Sequence, residues 1–402
     1  MDCELLIIGG GVAGQVAALS ANQHGIEDVK IIEKSDKIGG NISQKIDLCT
    51  TDNYIDSIIK DLDLSINHIS NNSKWFSPSG LNFDFTSRVS DLWFKRGPLK
   101  DSFDVTTAKK LKNRGIEILL NHRATKIKRE NDYVQIQIKN GKDIKNIKSK
   151  AIIFSDGINS LYWDKQNYYS ILASGCYGKN FDIEKGIPHI FFDNQDAYGS
   201  YIFLVKDPKD EIGYIINGYL QKEEKINPKN KLAEIRKKNK FINNTLKNAE
   251  IKGEISGLLY TAKPLDKIGF KRILLTGDSA HLMDPLFHYG LKQAIISGYY
   301  SGKILSGFLN NHHDYLSEYN DFYLQYFKQK LDEAHYFRKI YNKLNNNDID
   351  TLFHMLDNLK QSNVDFDDLF DHPRNNLKTI IKTIITNPRC IGFIPKIVSS
   401  LK

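Results

Sequence analysis

Four glycines within six residues follow the first apolar segment of the chain, and they constrain its fold more than any other feature. The stretch reads IIGGGVAG over 7–14. A G-x-G-x-x-G turn between a strand and a helix is typical of dinucleotide binding. Its first glycine permits the turn, the second lets the backbone approach a pyrophosphate, and the third lets the helix pack closely. Phosphates would lie at the helix N-terminus, which favours negative charge. We therefore predict that a dinucleotide is held by Gly9, Gly11, Val12, Ala13 and Gly14.

The residues around this turn predict a β-α-β unit. Residues 3–8 are typical of a buried strand, 13–24 of a helix that ends before Gly25, and 29–33 of a second strand. This span of about 30 residues is usual for a crossover between parallel strands. Glu33 ends the second strand, where its carboxylate can accept hydrogen bonds from a ribose.

The rest of the chain predicts a second, antiparallel sheet and a helical end. Alternating apolar residues over 73–95 indicate antiparallel strands, and 101–115 indicates a helix closed by Gly115. Further predicted elements are strands in IEILL, RATKIKRE, YVQIQIKNG, 151–157, 188–220 and 271–278, and helices at 228–248, 288–309 and 312–345, followed by a helical tail.

Composition limits the classes of protein that remain. With 402 residues, 41% hydrophobic and 26% charged, the chain suits a globular protein of two domains. We find no basic leader and no 18-residue apolar run, and therefore expect a cytoplasmic protein. The net charge of +8 fits a lysine-rich solvated surface without a nucleic-acid partner. The basic segment 230–250 can cover a sheet or rest peripherally on anionic lipid headgroups.

Cysteine and histidine spacing indicates neither a disulfide framework nor a metal site. The four cysteines, Cys3, Cys49, Cys176 and Cys390, are far apart, and no CxxC, HxxxH or HExxH motif occurs. The second G-x-G-x-x-G that would indicate a separate nicotinamide domain is also missing.

Two later segments favour FAD over NAD as the dinucleotide. Asp156-Gly157 ends one predicted strand, and Gly277-Asp278 ends another near the end of the chain. A carboxylate at the second position can reach the ribityl hydroxyls of an extended flavin cofactor. The stretch from Pro285 to Gly290, followed by a helix, can present backbone N–H groups to the flavin O2 and N1 edge.

Over nearly its whole length the sequence resembles FAD proteins of the p-hydroxybenzoate hydroxylase fold, and among them the archaeal-type geranylgeranyl reductases. The similarity lies in IIGGGVAGQVAA with IIEK, in FKRGPLKDSFDVTTAKKLKNRG, and loosely in SDGINS. It continues in GDSAHLMDPLFHYGLKQAIISG and in the tail segment LNNNDIDTLFHMLDNL.

The resemblance implies an α/β (α+β) fold in which a Rossmann-like FAD domain is interwoven with an antiparallel-sheet substrate domain, plus a helical C-terminal region. The expected boundaries are 1–72, 96–162 and 268–310 for the first, 73–95 and 163–267 for the second, and 311–402 for the third.

The resemblance also implies an activity and further cofactor residues. The expected reaction is reduction of isoprenoid C=C bonds in a polyprenyl lipid precursor by hydride transfer from reduced flavin N5. Electrons would come from transiently bound NAD(P)H or a reduced ferredoxin-type carrier. The expected FAD contacts beyond the glycine turn are Glu33, Lys34, Gly40, Arg96, Ala124, Asp156, Gly157, Gly277, Asp278, Pro285, Gly290 and Leu291.

The candidate proton donors lie where the sequence departs from the family pattern. The family's TGEG becomes Phe287-His288-Tyr289-Gly290 here, so His288 and Tyr289 are candidate catalytic residues, with His281 also near the loop. Cys49 is a third candidate because many members carry a cysteine near that place. A packing role is the alternative for each of these side chains.

Two other functions fit the same motifs. One is a flavin-dependent monooxygenase of this fold, because SDGINS also resembles the Asp-Gly motif of hydroxylases. The other is a non-catalytic FAD- or lipid-binding protein, which bulk at Phe287–Tyr289 over the flavin would favour. The WxWxIP segment usual in halogenases is missing.

Overall fold

The computed structural model describes residues 1–40, 43–161, 168–220, 228–311, 315–361 and 364–366. Its strands are β1 (Cys3–Ile8), β2 (Val29–Ile32), β3 (Lys45–Thr50), β4 (His68–Phe76), β5 (Asn82–Arg96), β6 (Glu117–Leu119), β7 (Arg123–Arg129), β8 (Val134–Asn140), β9 (Asp143–Phe154), β10 (Tyr168–Lys179), β11 (His189–Phe191), β12 (Ile202–Lys206), β13 (Gly213–Leu220), β14 (Glu250–Ala262), β15 (Gly269–Phe270) and β16 (Ile273–Leu275).

Helices join these strands and dominate the last third of the described chain. They are α1 (Val12–Gln23), α2 (Asn53–Leu62), α3 (Phe103–Asn113), α4 (Pro228–Lys238), α5 (Lys240–Thr245), α6 (Leu291–Asn311), α7 (Tyr315–Tyr323), α8 (Gln329–Tyr341) and α9 (Asn346–Gln361). A π-helical turn, Leu324–Lys328, joins α7 to α8. None of the described helices has the length and apolarity that crossing a membrane requires.

The first sheet contains the predicted β-α-β unit. Its order is β15-β16-β9-β1-β2-β6, with β1 parallel to both β2 and β9, and β7 and β8 extend it from β9 in antiparallel pairing. Helix α1 is buried against α6. There a Cβ at Gly298 would lie 2.5 Å from the Ala13 carbonyl oxygen, and one at Gly302 would lie 2.4 Å from that of Ala17. Glycine is therefore required at both crossings, because any side chain would push the helices apart.

The second sheet is almost wholly antiparallel and has the order β14-β10-β13-β12-β11-β4-β5-β3. Among the described strands of this sheet, β11 and β4 alone pair in parallel. Strands β3, β4 and β5 come from the early part of the chain, whereas the other five follow β9. The chain thus leaves the first sheet for the second and returns to it twice, and the predicted interwoven α/β (α+β) fold with a helical C-terminal region is confirmed.

Two helix predictions differ in detail from the structure. The segment 228–248 forms two helices, because Asn239 interrupts the first and its side chain caps the second by accepting from the Ile242 N–H at 3.0 Å. The segment 312–345 divides into α7, the π turn and α8. The predicted tail after 366 lies outside the described residues, and the exact domain boundaries remain predictions.

Candidate functional site

A cavity of about 480 Å³ lies between the glycine turn and one face of the second sheet. One end is polar and is formed by the start of α1, the end of β5, β3 and the loop after β16. The other end is largely apolar and is formed by β10, β12, β13 and β14. The two sheets therefore share one site, which neither could form alone.

The glycine turn leaves room for a ligand at only one of its glycines. A Cβ at Gly9, where φ is +107°, would lie 2.3 Å from the Ser155 carbonyl oxygen, and one at Gly14 would lie 2.0 Å from that of Gly9. A Cβ at Gly11 would meet nothing within 4 Å, and Gly11, Val12 and Ala13 line the cavity. Gly11 caps α1 without a side-chain hydrogen bond, so the first N–H groups of the helix can bind an anion.

The predicted adenosine-binding residues lie outside the cavity lining, behind the glycine turn. The Glu33 carboxylate accepts from the Gly10 N–H at 2.8 Å and the Ser35 hydroxyl at 2.6 Å. The Glu33 carbonyl oxygen accepts from the His122 N–H at 2.9 Å, so the half-buried Ala124 lies close by on β7. Two further predicted FAD contacts, Lys34 and Gly40, lie on the segment after β2, where Lys34 is exposed and Gly40 is half-buried.

Arg96 lines the cavity, but two carboxylates occupy its guanidinium group. Its Nε and Nη2 donate to Asp104 at 2.9 and 3.0 Å, and its Nη1 donates to Asp47 at 2.8 Å. The side chain is 8% exposed. Binding of phosphate by this guanidinium would require breaking a buried ion pair, which is costly. Arg96 therefore fits a role in the cavity wall better than the predicted phosphate contact.

Lys45 and Asp47 are cavity-lining residues that sequence reasoning missed. Lys45 Nζ lies 2.8 Å from Asp47 Oδ1, and both side chains belong to β3. The pKa of Asp47 is lowered because Lys45 and Arg96 outweigh the opposing effect of burial. Nothing in the sequence near IGGNISQKID singles out these two residues, since their importance comes from the position of β3 beside the glycine turn.

Of the two predicted Asp-Gly sites, the second reaches the cavity with its carboxylate. Gly277 and Asp278 line the cavity, and the Asp278 carboxylate has no hydrogen-bond partner among the described residues, whereas its carbonyl oxygen accepts from the His281 N–H at 3.1 Å. Burial raises the pKa of Asp278 to about 6, against the effect of Lys45 and Arg96. At the first site Gly157 lines the cavity while Asp156 accepts from the Leu161 N–H at 3.1 Å. Burial also raises the pKa of Asp156.

A tight turn over residues 284–290 forms the cavity wall opposite the glycine turn and leads into α6. Asp284 holds it by accepting from the Leu286 N–H at 2.9 Å and the Phe287 N–H at 2.5 Å. Gly290 and Leu291 line the cavity at the start of α6, whereas Pro285 lies behind the wall. A second helix N-terminus therefore faces the same cavity, as the sequence predicts for the flavin ring edge.

His288 lines the cavity, but its surroundings argue against the predicted role as a proton donor. Its Nε2 lies 2.7 Å from Arg338 Nη2, a group that can only donate, so Nε2 must be an acceptor. Burial and the Arg338 charge lower the pKa of His288 well below its usual value. The ring is thus neutral, with its single proton on Nδ1 toward the Ser200 hydroxyl at 3.4 Å.

Tyr289 remains the best placed of the three catalytic candidates. It lines the cavity with 41% of its surface exposed, and its hydroxyl has no hydrogen-bond partner among the described residues. A tyrosine hydroxyl keeps its proton at neutral pH and can donate it to a neighbouring group.

The structure corrects the Cys49 candidate. Cys49 is 2% exposed, packs in the hydrophobic core, and does not line the cavity. Burial raises the pKa of its thiol, which leaves it protonated and unreactive. His281 likewise lies outside the lining, where its Nδ1 contacts the Lys263 carbonyl oxygen at 3.1 Å.

Small residues on three adjacent strands form the floor of the apolar end. Gly257 on β14 pairs with Ala173 on β10, which pairs with Gly218 on β13. A Cβ at Gly257 would meet nothing within 4 Å. Larger side chains flank this row on both sides, with Ile255, Ile216 and Phe203 on one and Leu259 and Ile171 on the other. We call the row Gly257, Ala173 and Gly218 the trench.

The polar end fits FAD on grounds of its own geometry. The open position at Gly11, the uncapped start of α1, the free carboxylate of Asp278 and the second helix N-terminus at Gly290 follow one another along the wall. They supply donors for phosphates, an acceptor for hydroxyl groups and donors for a ring edge, in the order that an extended flavin dinucleotide requires. Metal-binding clusters of acidic, histidine or cysteine side chains do not occur among the described residues.

Comparison with known proteins defines the class. Residues 4–157 match the family model of FAD dependent oxidoreductases. Together with the fold and the site, this match identifies the chain as an FAD-dependent oxidoreductase.

The more specific resemblance is confirmed as well. The digeranylgeranylglycerophospholipid reductase of Methanosarcina acetivorans is 23% identical over 391 residues, covering 92% of this chain and 91% of its own length. A geranylgeranyl bacteriochlorophyll reductase-like protein from Thermoplasma acidophilum has the same fold, with a TM-score of 0.75, 18% identity, and coverage of 95% and 99%. The flavin-dependent brominase Bmp2 shares the fold at a TM-score of 0.67 and 18% identity, covering 84% of this chain and 87% of its own.

Proposed function

We propose that this protein reduces isoprenoid C=C bonds of a polyprenyl, geranylgeranyl-type lipid precursor, with FAD as its cofactor. The observation that supports this most is the single cavity that joins the glycine turn to the trench. The small residues of the trench leave room for a linear apolar chain. The methyl branches of such a chain can pack on the isoleucine, leucine and phenylalanine side chains beside the trench.

The names of the relatives agree with this proposal. The curated relatives from Methanosarcina acetivorans and Methanosphaera stadtmanae are both named for the reduction of digeranylgeranylglycerophospholipid. Each alignment covers at least 87% of both chains. The similarity therefore includes the trench strands as well as the glycine turn.

The residues at the polar end bind and orient the cofactor. We propose that the start of α1 at Gly11–Ala13 holds the pyrophosphate, Glu33 the ribose, Asp278 the ribityl chain and Gly290–Leu291 the ring edge. When bound and reduced, FAD supplies a hydride for one alkene carbon. The apolar side chains that flank the trench exclude water from the double bond.

Tyr289 is our proposed proton donor to the second alkene carbon. Its protonated hydroxyl lines the cavity beside the ring-binding helix terminus. Adding one hydride and one proton saturates the double bond, so each reduction consumes two electrons. We propose that transiently bound NAD(P)H or a reduced ferredoxin-type carrier supplies them.

The test uses purified protein with bound FAD that has been reduced chemically under strict anaerobiosis. A geranylgeranyl phospholipid precursor is added, and both the flavin absorbance and the lipid mass are followed. We expect flavin reoxidation with a gain of two hydrogens for each double bond reduced. A flavin that stays reduced with this lipid until oxygen is admitted would contradict the proposal and favour a monooxygenase.

We also propose a peripheral contact with anionic lipid through α4 and α5. Lys237 and Lys240 are exposed there, and Phe241 is 37% exposed. Such a surface combines cationic and apolar contacts with headgroups. Co-sedimentation with phosphatidylserine vesicles should fall in the double variant Lys237→Glu/Lys240→Glu, and equal co-sedimentation of variant and wild type would contradict this contact.

A further inference from the structure

Arg338 on α8 is a completely buried cation for which the described chain provides no ion-pair partner. Its exposure is 0%, yet no carboxylate of the described residues lies within ion-pair distance of its guanidinium. Burial lowers its pKa, although a guanidinium remains charged under all ordinary conditions. The acidic group that acts on it is Asp284, which is not within ion-pair distance and whose own pKa is raised by burial. A buried charge without a paired carboxylate is costly, which points to a role for the charge itself.

The donors of Arg338 are directed at two segments of the cavity wall. Nε donates to the Pro285 carbonyl oxygen at 2.6 Å, and Nη2 donates to that of Leu286 and to His288 Nε2. Nη1 donates to the Gly199 carbonyl oxygen, beside Ser200 and Tyr201 in the loop before β12. All these partners are neutral.

Arg338 thereby connects three parts of the chain that are distant in sequence. Helix α8 supplies the guanidinium, the turn before α6 supplies three acceptors, and the loop before β12 supplies the fourth. Tyr201 strengthens the same junction by donating from its hydroxyl to the Phe287 carbonyl oxygen at 2.7 Å. His288, which has a φ of +60°, is kept in a strained conformation within this junction.

We propose that Arg338 is a positioning residue that fixes the turn 285–288 against the second sheet and, through its buried charge, stabilises the reduced form of the flavin. The reduced cofactor carries more negative charge at its pyrimidine edge, and the proposed place of that edge is the wall that Arg338 supports. Positive potential at this wall therefore favours reduction. The inference rests on the FAD site and does not depend on which molecule is reduced.

The test is the reduction potential of the bound FAD in Arg338→Met. We expect the equilibrium between reduced and oxidised flavin to shift about tenfold toward oxidised, which is about 30 mV for a two-electron couple. Arg338→Lys keeps the charge and should shift the equilibrium less than Arg338→Met. The matched control is Arg272→Met, since Arg272 also donates to backbone carbonyls, of Asn131 and Lys150, but outside the cavity. It should leave the potential unchanged.

A second variant keeps the inference testable even when Arg338→Met fails to fold. Asn342 Oδ1 lies 3.2 Å from Arg338 Nη1, so Asn342→Asp places a carboxylate against the guanidinium with almost no change of shape. It should lower the potential in the same direction as Arg338→Met. An unchanged potential in Asn342→Asp, with FAD still bound, would overturn the electrostatic part of the proposal.

The positioning part has its own measurement in the cofactor-free protein. Nitrogen-15 NMR of His288 should show a neutral ring with the proton on Nδ1 in the wild type. In Arg338→Lys, which cannot donate to all four acceptors at once, we expect a mixture of tautomers. An unaltered His288 signal in this variant would show that Arg338 does not position the turn.

Discussion

Two helix N-termini face the cavity, and they are held in place by opposite means. The start of α1 is fixed locally, because Gly9 and Gly14 allow main-chain contacts that no other residue permits. The start of α6 is fixed from a distance, by Arg338 and Tyr201 acting on the turn 285–288. The first arrangement can be recognised in six letters of sequence, whereas the second exists only after three parts of the chain have packed together.

The largest expected effect separates packing from binding within the glycine turn. Gly14→Ala would place a Cβ 2.0 Å from the Gly9 carbonyl oxygen, whereas Gly11→Ala would place one in open space. We expect Gly14→Ala to destabilise the fold by about 3 kcal/mol, as overpacking typically does. Gly11→Ala should leave the unfolding free energy of the cofactor-free protein unchanged while weakening FAD binding at least tenfold.

Urea unfolding of the cofactor-free proteins and FAD titration would measure the two effects separately. If Gly11→Ala proved as destabilising as Gly14→Ala, Gly11 would be a packing residue like its neighbours. The local turn would then leave no space reserved for a ligand.

The second-largest effect concerns the proton transfer that we propose for Tyr289, in the turn before α6. Tyr289→Phe removes the hydroxyl that lines the cavity and keeps the ring in place. We expect the rate of lipid reduction to fall about 100-fold, a usual loss when a general acid is removed. The flavin spectrum and FAD affinity should not change.

Single-turnover kinetics in H₂O and D₂O would check this role. Tyr326→Phe is the control, since Tyr326 donates to Asp52 at 2.5 Å outside the cavity. Equal rates for wild type and Tyr289→Phe would assign proton delivery to water or to another group.

A smaller effect is expected from Asp278, which lies between the two walls. Its pKa is raised from 3.8 to about 6 in the folded protein, so folding disfavours the ionised carboxylate. The unfolded chain binds fewer protons than the native one in that interval, and the free energy of unfolding therefore falls as pH rises from about 4 to about 6. Asp278→Asn should remove this contribution in the cofactor-free protein.

Denaturant unfolding at a series of pH values would measure this contribution. It should appear as a difference between wild type and Asp278→Asn in how the unfolding free energy depends on pH. The exposed carboxylate of Asp36 offers a control in Asp36→Asn. Parallel curves for wild type and Asp278→Asn across this interval would mean that Asp278 is solvated in the absence of FAD.

The smallest catalytic effect should come from Cys49, which belongs to neither wall. Cys49→Ala should leave the rate of lipid reduction unchanged and lower the unfolding free energy by about 1 kcal/mol, as small core truncations do. A large loss of rate at full FAD occupancy would restore the catalytic assignment that the buried position contradicts.

The comparison of the two helix starts also explains which parts of the molecule could be predicted from the sequence. The β-α-β unit was predictable because apolar period, glycine placement and Glu33 all lie within about 30 residues. The cavity-lining role of Gly277, Asp278 and Gly290 followed from strand ends and a resemblance. In β3 a shift of one residue determines which side chain faces the cavity. Leu48 lines the cavity, whereas its neighbour Cys49 packs in the core. Sequence does not specify that register.

The residues that sequence reasoning missed owe their roles to long-range contacts. Arg338 lies 50 residues from His288, and no spacing rule connects a helix near the end of the chain to a turn before α6. The trench depends on the strand order β14-β10-β13, in which small residues from separate segments come into register. Each glycine by itself is an ordinary strand or turn residue.

The central claim is that one cavity holds both the flavin and the isoprenoid chain, and the trench offers the most direct measurement. Gly257→Phe would fill the trench, whereas Gly257→Ala adds a single methyl group in open space. The measurement is the anaerobic reoxidation of reduced, FAD-loaded protein by a geranylgeranyl phospholipid precursor. We expect Gly257→Phe to retain FAD and lose at least 100-fold in reoxidation rate, and Gly257→Ala to stay within a fewfold of wild type. Wild-type reoxidation by the lipid in Gly257→Phe would show that the substrate binds elsewhere and contradict the account.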